Sequence, residues 1–592
     1  MRCVAVRSSR ANLVGLAALV ALALALRLRG LDFFLPLLPD PDANIVRQVE
    51  LMEQQSPRPE QHTGYVSYPH LIARAVTLFS SAQSWDNPPP ALSIEQHLAR
   101  AGAPFRRVRQ VVAIMSLLAV PATWLLARNY LSPAWSLLAA SAMVTSLLTV
   151  CFAQQARPHA ASMAFPALAV LSCIALRRRG TVVAYLLAGC ACGLALGALQ
   201  SGVAVLIPLA VAHTLSSGTA GWRHLRLLLS LAMVALCLYA FYPFLFTSGA
   251  DNTLGPVGLA DSTLTQGGHK LFLHLFNGRG LPTVVWWLWS YEPALVIGSA
   301  LGTAAWLARL ATGHSSGARA GASDHLVVLS YAVPYFAVLL LYGRTFERFL
   351  LPLLPFLACL SAYGLHAVWH TLAGQPRLGR LAPWPAALLI ALWVGFPALA
   401  AERLTHARAA PSTVELAGDW LRQHTTPGVD RIVLGFALQV PLYGDPAEIS
   451  KIRKLGMRNL PWVWYQKQVF HRAPPDPRYL LIPLPFSRKS AAQIARFPGE
   501  FLAAQNALCF VTQVYASRVP VFEALRDTLQ RTSILVARFS PDDDAENLLP
   551  IGYQGDLVPG REHMSTRVLR AHRAGPVIEI FCTKSLASRG ST

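Results

Sequence analysis

Two acidic side chains follow the first membrane-length apolar run of the sequence. The run covers residues 12–28, and the later Leu-Pro-Asp-Pro-Asp segment places Asp40 and Asp42 shortly beyond it. Farther along, Arg344 and Arg348 precede another apolar run. A carboxylate can take a proton from an attacking hydroxyl or amine, and an arginine can hold the charge that develops on a leaving phosphate. Acids and arginines at the mouths of membrane helices therefore indicate chemistry on a lipid-borne phosphate.

The composition indicates a polytopic membrane protein. Of the 592 residues, 54% are hydrophobic and only 14% are charged, whereas soluble proteins carry about 25% charged residues. The apolar runs predict about eleven transmembrane helices, at roughly 12–28, 108–128, 134–153, 160–176, 182–199, 203–217, 226–247, 284–308, 326–343, 349–369 and 382–401. The net charge of +21 does not indicate nucleic-acid binding, because the basic residues form no single face or stripe.

Basic residues in the short loops predict the orientation. With the N-terminus in the cytoplasm, the loops at 177–180, 222–226, 309–319 and 377–380 are all cytoplasmic and almost free of acids. The large first loop, about 29–107, is then extracytoplasmic and contains both aspartates. The sequence has no Asn-x-Ser/Thr sequon and no ER-retention signal, which favours a bacterial inner membrane.

Residues 402–592 differ in character from the rest of the chain, with short apolar runs and many Pro, Asp and Arg residues. Ser412–Gln423 has the periodicity of an amphipathic helix. Three short runs read as strands, and they begin at Ile432, Tyr479 and Val577. We therefore expect a soluble α/β domain on the same side as the first loop. Cys509 and Cys582 are its only cysteines, and outside the cytoplasm they can form a disulfide.

Other polar residues near the expected outer helix ends could contact a substrate, and these are Tyr68, Arg157, His159 and His269. Every candidate has a structural alternative. Aspartates among prolines often form turns, and Asp42 could cap a helix that begins near Ala43. Arginines at helix ends often extend to lipid head groups. The segment 65–79 suits a helix lying in the membrane interface, although packing beneath the loop explains it nearly as well.

The order of these features resembles the GT-C superfamily of membrane glycosyltransferases. It is most similar to the branch of protein O-mannosyltransferases and lipid A aminoarabinose transferases, often called family 39. The resemblance covers about residues 1–435 and depends on four local matches, which are Asp40-Pro-Asp42 before a helix, Tyr68-Pro-His-Leu, Ala153-Gln-Gln-Ala-Arg157-Pro-His-Ala and Arg348-Phe-Leu-Leu-Pro-Leu-Leu-Pro-Phe. The family usually has adjacent Asp-Glu where this chain has Asp-Pro-Asp, so Pro41 falls at the first acid, and His159 replaces an expected aspartate.

The resemblance implies a GT-C-like transmembrane domain over 1–401, followed by the soluble domain over 402–592. It implies an inverting transfer of a sugar from a polyprenyl-phosphate donor to an extracytoplasmic protein, lipid or glycan. Asp42, with Asp40, would act as base or position the acceptor, and Arg348, with Arg157 or Arg344, would hold the donor phosphate. No cofactor is expected. The two aspartates could hold a divalent metal, which family 39 does not require but oligosaccharyltransferase-like members of the superfamily use.

Two non-enzymatic alternatives stay open. A lipid-linked-sugar flippase or another transporter would show charged or broken helices near the bilayer midplane and repeat symmetry, and the sequence shows no repeat. A degenerate family member acting as a scaffold would explain the Asp-Pro-Asp spacing and His159.

Overall fold

The computed structural model describes most of the chain. The described residues are 10–37, 43–54, 68–79, 92–216, 222–246, 254–255, 263–266, 269–311, 318–373, 383–435, 438–451, 461–470, 475–484, 494, 496–514, 520–543 and 563–583. Within them, apolar helices form a membrane bundle, and a mixed sheet with its own helices follows at the C-terminal end. The expected class, a polytopic helical membrane protein with a C-terminal region built around a sheet, is confirmed.

The bundle and the loops between its helices contain seventeen α-helices among the described residues. They are α1 (Arg10–Leu28), α2 (Ala43–Glu53), α3 (Leu71–Phe79), α4 (Ile94–Ser116), α5 (Ala119–Ala127), α6 (Pro133–Thr145), α7 (Leu147–Ala153), α8 (Pro158–Ser162), α9 (Ala164–Arg179), α10 (Val182–Ala198), α11 (Leu206–Thr214), α12 (Arg223–Phe241), α13 (Gly280–Tyr291), α14 (Pro293–Ala311), α15 (Ala318–Leu341), α16 (Leu354–Ala373) and α17 (Pro383–Ala409). Four 3-10 helices are Gln200–Val205, Pro243–Phe246, Leu273–Leu275 and Glu347–Leu353.

The described part of the chain has eight helices long and apolar enough to cross a membrane, or nine if α6 and α7 count as one bent span. Two further apolar helices, Val182–Ala198 and Gln200–Thr214, are shorter than that test requires. The eleven predicted spans thus all coincide with apolar helices, but three are bent or short and a fourth is divided into two helices. The bend of 50° falls between α6 and α7, where Ser146 ends one helix and its hydroxyl caps the next by accepting from the Thr149 amide.

The predicted span 284–308 is divided at Glu292. Helix α13 ends at Tyr291, and Pro293 begins α14. The Glu292 side chain is only 3% exposed, and its Oε1 accepts from the Ser146 hydroxyl at 2.6 Å and the Leu148 amide at 2.8 Å. Two helix breaks therefore meet, because the carboxylate from one break satisfies donors at the other.

The C-terminal region contains the remaining helices and the larger of the two described sheets. Its helices are α18 (Thr413–His424), α19 (Pro446–Lys451), α20 (Pro461–Val469), α21 (Pro498–Gln505), α22 (Pro520–Thr532) and α23 (Met564–Arg570). Its strands are β4 (Arg431–Leu434), β5 (Tyr443–Gly444), β6 (Arg478–Pro483), β7 (Cys509–Val514), β8 (Ile534–Phe539) and β9 (Val577–Cys582). The smaller sheet lies between α12 and α13 and contains β1 (Leu254–Gly255), β2 (Thr263–Gln266) and β3 (His269–Phe272).

The C-terminal sheet has the order β5-β6-β4-β7-β9-β8, parallel from β5 to β7 and antiparallel around β9. The predicted helix is confirmed as α18, whose N-terminus carries a capping box between Ser412 and Glu415. The three predicted strands are confirmed as β4, β6 and β9. The Cys509–Cys582 disulfide is also present, because the two residues face each other in the β7–β9 register. The domain boundary at 402 stays a prediction, since α17 continues to Ala409.

The C-terminal region packs on the start of the first loop. Phe33, Phe34 and Leu37 belong to the same buried cluster as apolar residues of α18, β4 and α20. The side-chain Nε2 of Gln439 donates to the Leu37 carbonyl at 3.3 Å. The backbone N–H of Trp462 donates to the Pro36 carbonyl at 3.3 Å. The chain that leads toward the acidic pair is therefore held by residues some 400 positions later in the sequence.

Candidate active site

Asp40 and Asp42 lie outside the described residues, but the chain is anchored on both sides of them. On the N-terminal side, Leu37 is buried against the C-terminal region. On the C-terminal side, α2 begins at Ala43. The predicted helix after the acidic pair is thus present, and it starts at the position expected from the sequence.

Three arginines near the middle of α4 hold the two flanks of the acidic pair. Arg109, 2% exposed, donates from Nη1 to the carbonyls of Leu31 at 2.8 Å and Phe33 at 2.9 Å. Arg106 pairs with Asp32 at 2.5 Å, and Arg107 pairs with Glu53 of α2 at 3.1 Å. These distances join guanidinium nitrogens to carboxylate oxygens. About one turn of helix α4 therefore fixes both the approach to the pair and the helix after it.

Helix α2 places the Tyr68 segment. The Gln48 side-chain amide donates to the Tyr68 carbonyl at 2.7 Å. The His70 amide donates to the Phe241 carbonyl of α12 at 2.5 Å, and α3 begins at the next residue. Burial lowers the pKa of the His70 imidazole to about 3. A neutral imidazole therefore lies beside Tyr68 at physiological pH.

An aromatic–arginine cluster, which we define as Tyr68, His159, Arg348, Phe346 and Phe349, joins three separate parts of the chain. The Tyr68 and His159 rings are 6.2 Å apart between centroids, and those of His159 and Phe349 are 5.8 Å apart. The Arg348 guanidinium lies over the Phe346 ring at 4.2 Å and the Phe349 ring at 5.0 Å. Two rings thus orient this cation through their quadrupoles.

Arg157 lies next to this cluster. It is the N-cap residue of α8, it is buried, and His159 follows two residues later. Helix α8 packs against the 3-10 helix Glu347–Leu353 and against α4. Arg157 and Glu347 also act electrostatically on the same neighbour, Cys151. Buried guanidinium and carboxylate groups therefore concentrate where α7, α8 and this 3-10 helix meet.

The structure describes six of the eight predicted site residues and separates them into three groups. Tyr68, Arg157, His159 and Arg348 come together at this junction. Arg344 is exposed and makes no hydrogen bond or ion pair with any described residue. For His269 only the backbone is described, in β3 opposite Gln266.

Two residues at the junction were not anticipated from the sequence. Gln154 and Arg408 are both buried, and the Arg408 Nη1 donates to the Gln154 Oε1 at 2.6 Å. An arginine near the end of an apolar helix reads as a lipid-facing residue. Its partner lies 254 positions away, so no local pattern could have revealed the contact.

No group of three or more His, Cys, Asp and Glu side chains suited to a metal occurs among the described residues. Asp40 and Asp42, the sequence-predicted metal candidates, are outside that part of the chain. Carboxylate oxygens are suitable ligands for a hard divalent ion, so the aspartates fit such an ion by chemistry alone.

Comparison with known proteins gives one family match and several structural matches. Residues 88–246 match the family model described as dolichyl-phosphate-mannose-protein mannosyltransferase. A comparison with curated protein sequences finds no match. The matched segment includes Arg157 and His159 but not the acidic pair or Arg348.

Among solved structures, the oligosaccharyltransferase of Archaeoglobus fulgidus tethered to an acceptor peptide is similar, with a TM-score of 0.51 and 13% identity over 90% of this chain and 73% of that one. The same protein in complex with zinc and sulfate has a TM-score of 0.47 and 14% identity, over 84% of this chain and 68% of that one. ArnT from Cupriavidus metallidurans bound to undecaprenyl phosphate has a TM-score of 0.41 and 14% identity, over 95% of this chain and 97% of that one. The family match and the similarity of fold confirm the resemblance to GT-C membrane proteins.

Proposed function

We propose that this protein is an integral membrane glycosyltransferase that moves a sugar from a polyprenyl-phosphate donor to an extracytoplasmic acceptor. The observation that carries the proposal is the junction of Arg157, His159, Arg348 and Tyr68 at the loop ends of membrane helices, beside the anchored flanks of an acidic pair. The family match over residues 88–246 supports the same class of donor.

Arg348 and Arg157 hold the donor phosphate. The Arg348 guanidinium is already oriented by two aromatic rings, so little further ordering is needed when the phosphate binds. Arg157 is buried, and a charge in a low-dielectric site acts on a neighbouring anion more strongly than one in water. Arg344, being exposed, has a smaller role than Arg348.

Asp42, assisted by Asp40, takes the proton from the acceptor hydroxyl or amine. The acceptor atom forms a bond to the anomeric carbon from the face opposite the phosphate, while the bond from that carbon to the phosphate oxygen breaks. The electron pair stays on the phosphate, which leaves as polyprenyl phosphate beside Arg348. A single displacement of this kind inverts the anomeric configuration, and a carboxylate and two arginines supply its acid–base and charge requirements.

The acceptor binds on the side of the C-terminal region, where Tyr68 and His159 can contact it. The contact predicted for His269 rests on the sequence alone. It is a protein, a lipid or a growing glycan. The mechanism requires no cofactor, and a divalent ion at Asp40 and Asp42 would supply additional positive charge near the acceptor. We place the N-terminus in the cytoplasm, the C-terminal region outside it, and the protein in a bacterial inner membrane.

A flippase for the same lipid-linked sugar is the second candidate, because one observation favours it. Two membrane helices are broken, and the breaks meet at Glu292, as occurs in transporters with binding sites inside the bundle. However, Glu292 Oε1 already accepts from Ser146 and Leu148. This carboxylate therefore stabilises the break from within the protein.

Transfer in membranes from labelled polyprenyl-phosphate sugars tests the proposal. We expect Asp42→Asn to abolish transfer and Asp40→Asn to reduce it, each at normal expression. Glu95→Gln is the matched control, since Glu95 is an exposed acid of the same predicted loop, in the first turn of α4 and without a proposed role. Unchanged transfer by the Asp40 and Asp42 variants would refute the mechanism. A wild type that transfers no sugar but moves labelled lipid across vesicles would establish the flippase.

A further inference from the structure

We infer that Arg408 is a positioning residue for the proposed transfer, because it fixes the segment that carries Arg157 against the start of the first loop. The inference rests on the proposed function and adds a residue to it. Arg408 lies outside the aromatic–arginine cluster and near the end of α17, the helix that leads into the C-terminal region.

Arg408, at the end of α17, contacts two other segments at once. It is 3% exposed, and its Nη1 donates to the Cys151 carbonyl at 3.1 Å and to the Gln154 Oε1 at 2.6 Å. Its guanidinium also lies 4.0 Å from the centroid of the Phe33 ring. The contacts therefore join the end of α17, the end of α7 and the first loop.

Gln154 extends this connection to α1. Its Nε2 donates to the carbonyls of Leu26 at 3.1 Å and Arg29 at 2.6 Å. Arg408 donates to the oxygen of the Gln154 side-chain amide, so the orientation of this amide is fixed. The nitrogen of the same amide then points at the C-terminal end of α1. The position of α7 relative to α1 thus depends on the Arg408–Gln154 contact.

The two connected segments lead to the two halves of the proposed site. Arg157 follows Gln154 by three residues, and the chain after Arg29 continues through Phe33 to Leu37. A shift between these segments would therefore move the phosphate-binding arginine relative to the rest of the site. Shifts of about 1 Å in such geometry can cost about 10²-fold in rate.

The guanidinium is needed for these contacts because of its shape. A planar fork can donate in two directions and stack on a ring at the same time, whereas a lysine offers one compact charge. Lysine at this position would keep the charge and most of the volume. It could not contact the Gln154 side-chain amide, the Cys151 carbonyl and the Phe33 ring at the same time.

The bundle offers a matched comparison in Arg27. This arginine is also fully buried, and it donates to Ser116 Oγ, the Ala23 carbonyl and the Met143 carbonyl. None of these partners belongs to the proposed site. Arg27→Lys should therefore destabilise the bundle without moving Arg157. Arg403→Lys, an exposed position of the same helix α17, controls for the substitution itself.

The test measures donor KM and the melting temperature for the full-length protein in proteoliposomes. We expect Arg408→Lys to raise the KM for the polyprenyl-phosphate sugar about 10-fold or more. Arg27→Lys, at a comparable loss of melting temperature, should leave KM within about 2-fold of wild type, because inactive protein lowers the amount of active enzyme and not its KM. Gln154→Met, which keeps Arg408, should raise KM in the same direction and replaces Arg408→Lys if that variant does not fold.

Equal KM values for Arg408→Lys and Arg27→Lys would overturn the inference and leave the proposed function standing. If wild type transfers no sugar but binds polyprenyl phosphate, the same comparison is made on the Kd for that lipid, and equal Kd values overturn the inference. A wild type that neither transfers sugar nor binds the lipid overturns the proposed function and this inference together.

Discussion

Arg348 should contribute more to transfer than any other arginine of the candidate site. Arg348→Ala removes the cation that faces the leaving phosphate, and the loss of one such oriented donor typically lowers kcat by about 10²–10³-fold. Arg348→Lys keeps a cation but weakens its contacts with the rings of Phe346 and Phe349. The loss of two cation–π contacts of about 0.5–1 kcal/mol each would lower kcat about 5- to 30-fold.

The aromatic rings give an independent check on this magnitude. Phe346→Leu keeps the guanidinium and removes only the nearer ring contact, at 4.2 Å, so the expected loss is about 2- to 5-fold. The predicted loss of kcat is therefore largest for Arg348→Ala, smaller for Arg348→Lys and smallest for Phe346→Leu. Arg344→Ala, at the exposed position four residues before Arg348, should change kcat by less than about 3-fold, since a solvated arginine is little engaged.

The assay is initial-rate transfer from a labelled polyprenyl-phosphate sugar at saturating acceptor, with expression and melting temperature measured for each variant. A rate for Arg348→Ala within about 3-fold of wild type, at equal expression, would refute the assignment of the phosphate site. A larger loss in Arg344→Ala than in Arg348→Ala would move the phosphate site to the exposed turn.

Three further predictions concern the surroundings of the site. Tyr335→Phe removes the hydroxyl that donates to the Phe349 carbonyl at 3.0 Å. The donor KM should therefore rise about 2- to 5-fold, for a loss of about 0.5–1 kcal/mol, and an unchanged KM would exclude this support. Arg526→Ala leaves the Glu579 carboxylate, whose side chain is 1% exposed, without its two hydrogen bonds of 2.7 and 2.8 Å. Limited proteolysis should show that the C-terminal sheet is destabilised by about 3 kcal/mol. The double substitution Arg526→Met and Glu579→Leu should restore most of this stability. Because the pKa of His70 is lowered to about 3, the free energy of unfolding should fall as pH decreases from about 6.5 toward 3, by up to about 1.4 kcal/mol per pH unit, and thermal unfolding of His70→Gln should show a flatter dependence.

Local patterns predicted the elements well where a single segment carries the whole signal. The helix expected over Ser412–Gln423 is found over Thr413–His424, because its apolar spacing and its capping box lie within twelve residues. The strand expected at Val577 is β9. Each of these signals is complete within its own segment, so no distant contact was needed to read it.

The helix breaks could not be predicted in the same way. Residues 284–308 read as one span because a single acid does not interrupt an apolar run. The break at Glu292 is stabilised by Ser146 and Leu148, about 145 positions earlier. The sequence shows the carboxylate but not the donors that make its burial acceptable.

The candidate site itself stays a prediction, but the structure shows which of its residues lie near one another. Arg157 and Arg348 could be proposed from the sequence because they are arginines at helix ends whose loops are predicted to share one side of the membrane. Arg109 and Arg408 could not, since each contributes through contacts with carbonyls and a ring from distant segments. A residue type at a helix end can thus be read from the sequence, whereas contacts between distant segments cannot.

The contact of Gln439 with Leu37 also sets an order of events during synthesis. These residues are 402 positions apart, and at about 5–20 residues per second the ribosome needs roughly 20–80 s to make the intervening chain. During that interval Phe33, Phe34 and Leu37 have already been made, but the surface that buries them does not yet exist. The start of the first loop therefore stays without its packing partner until the last quarter of the polypeptide is synthesised.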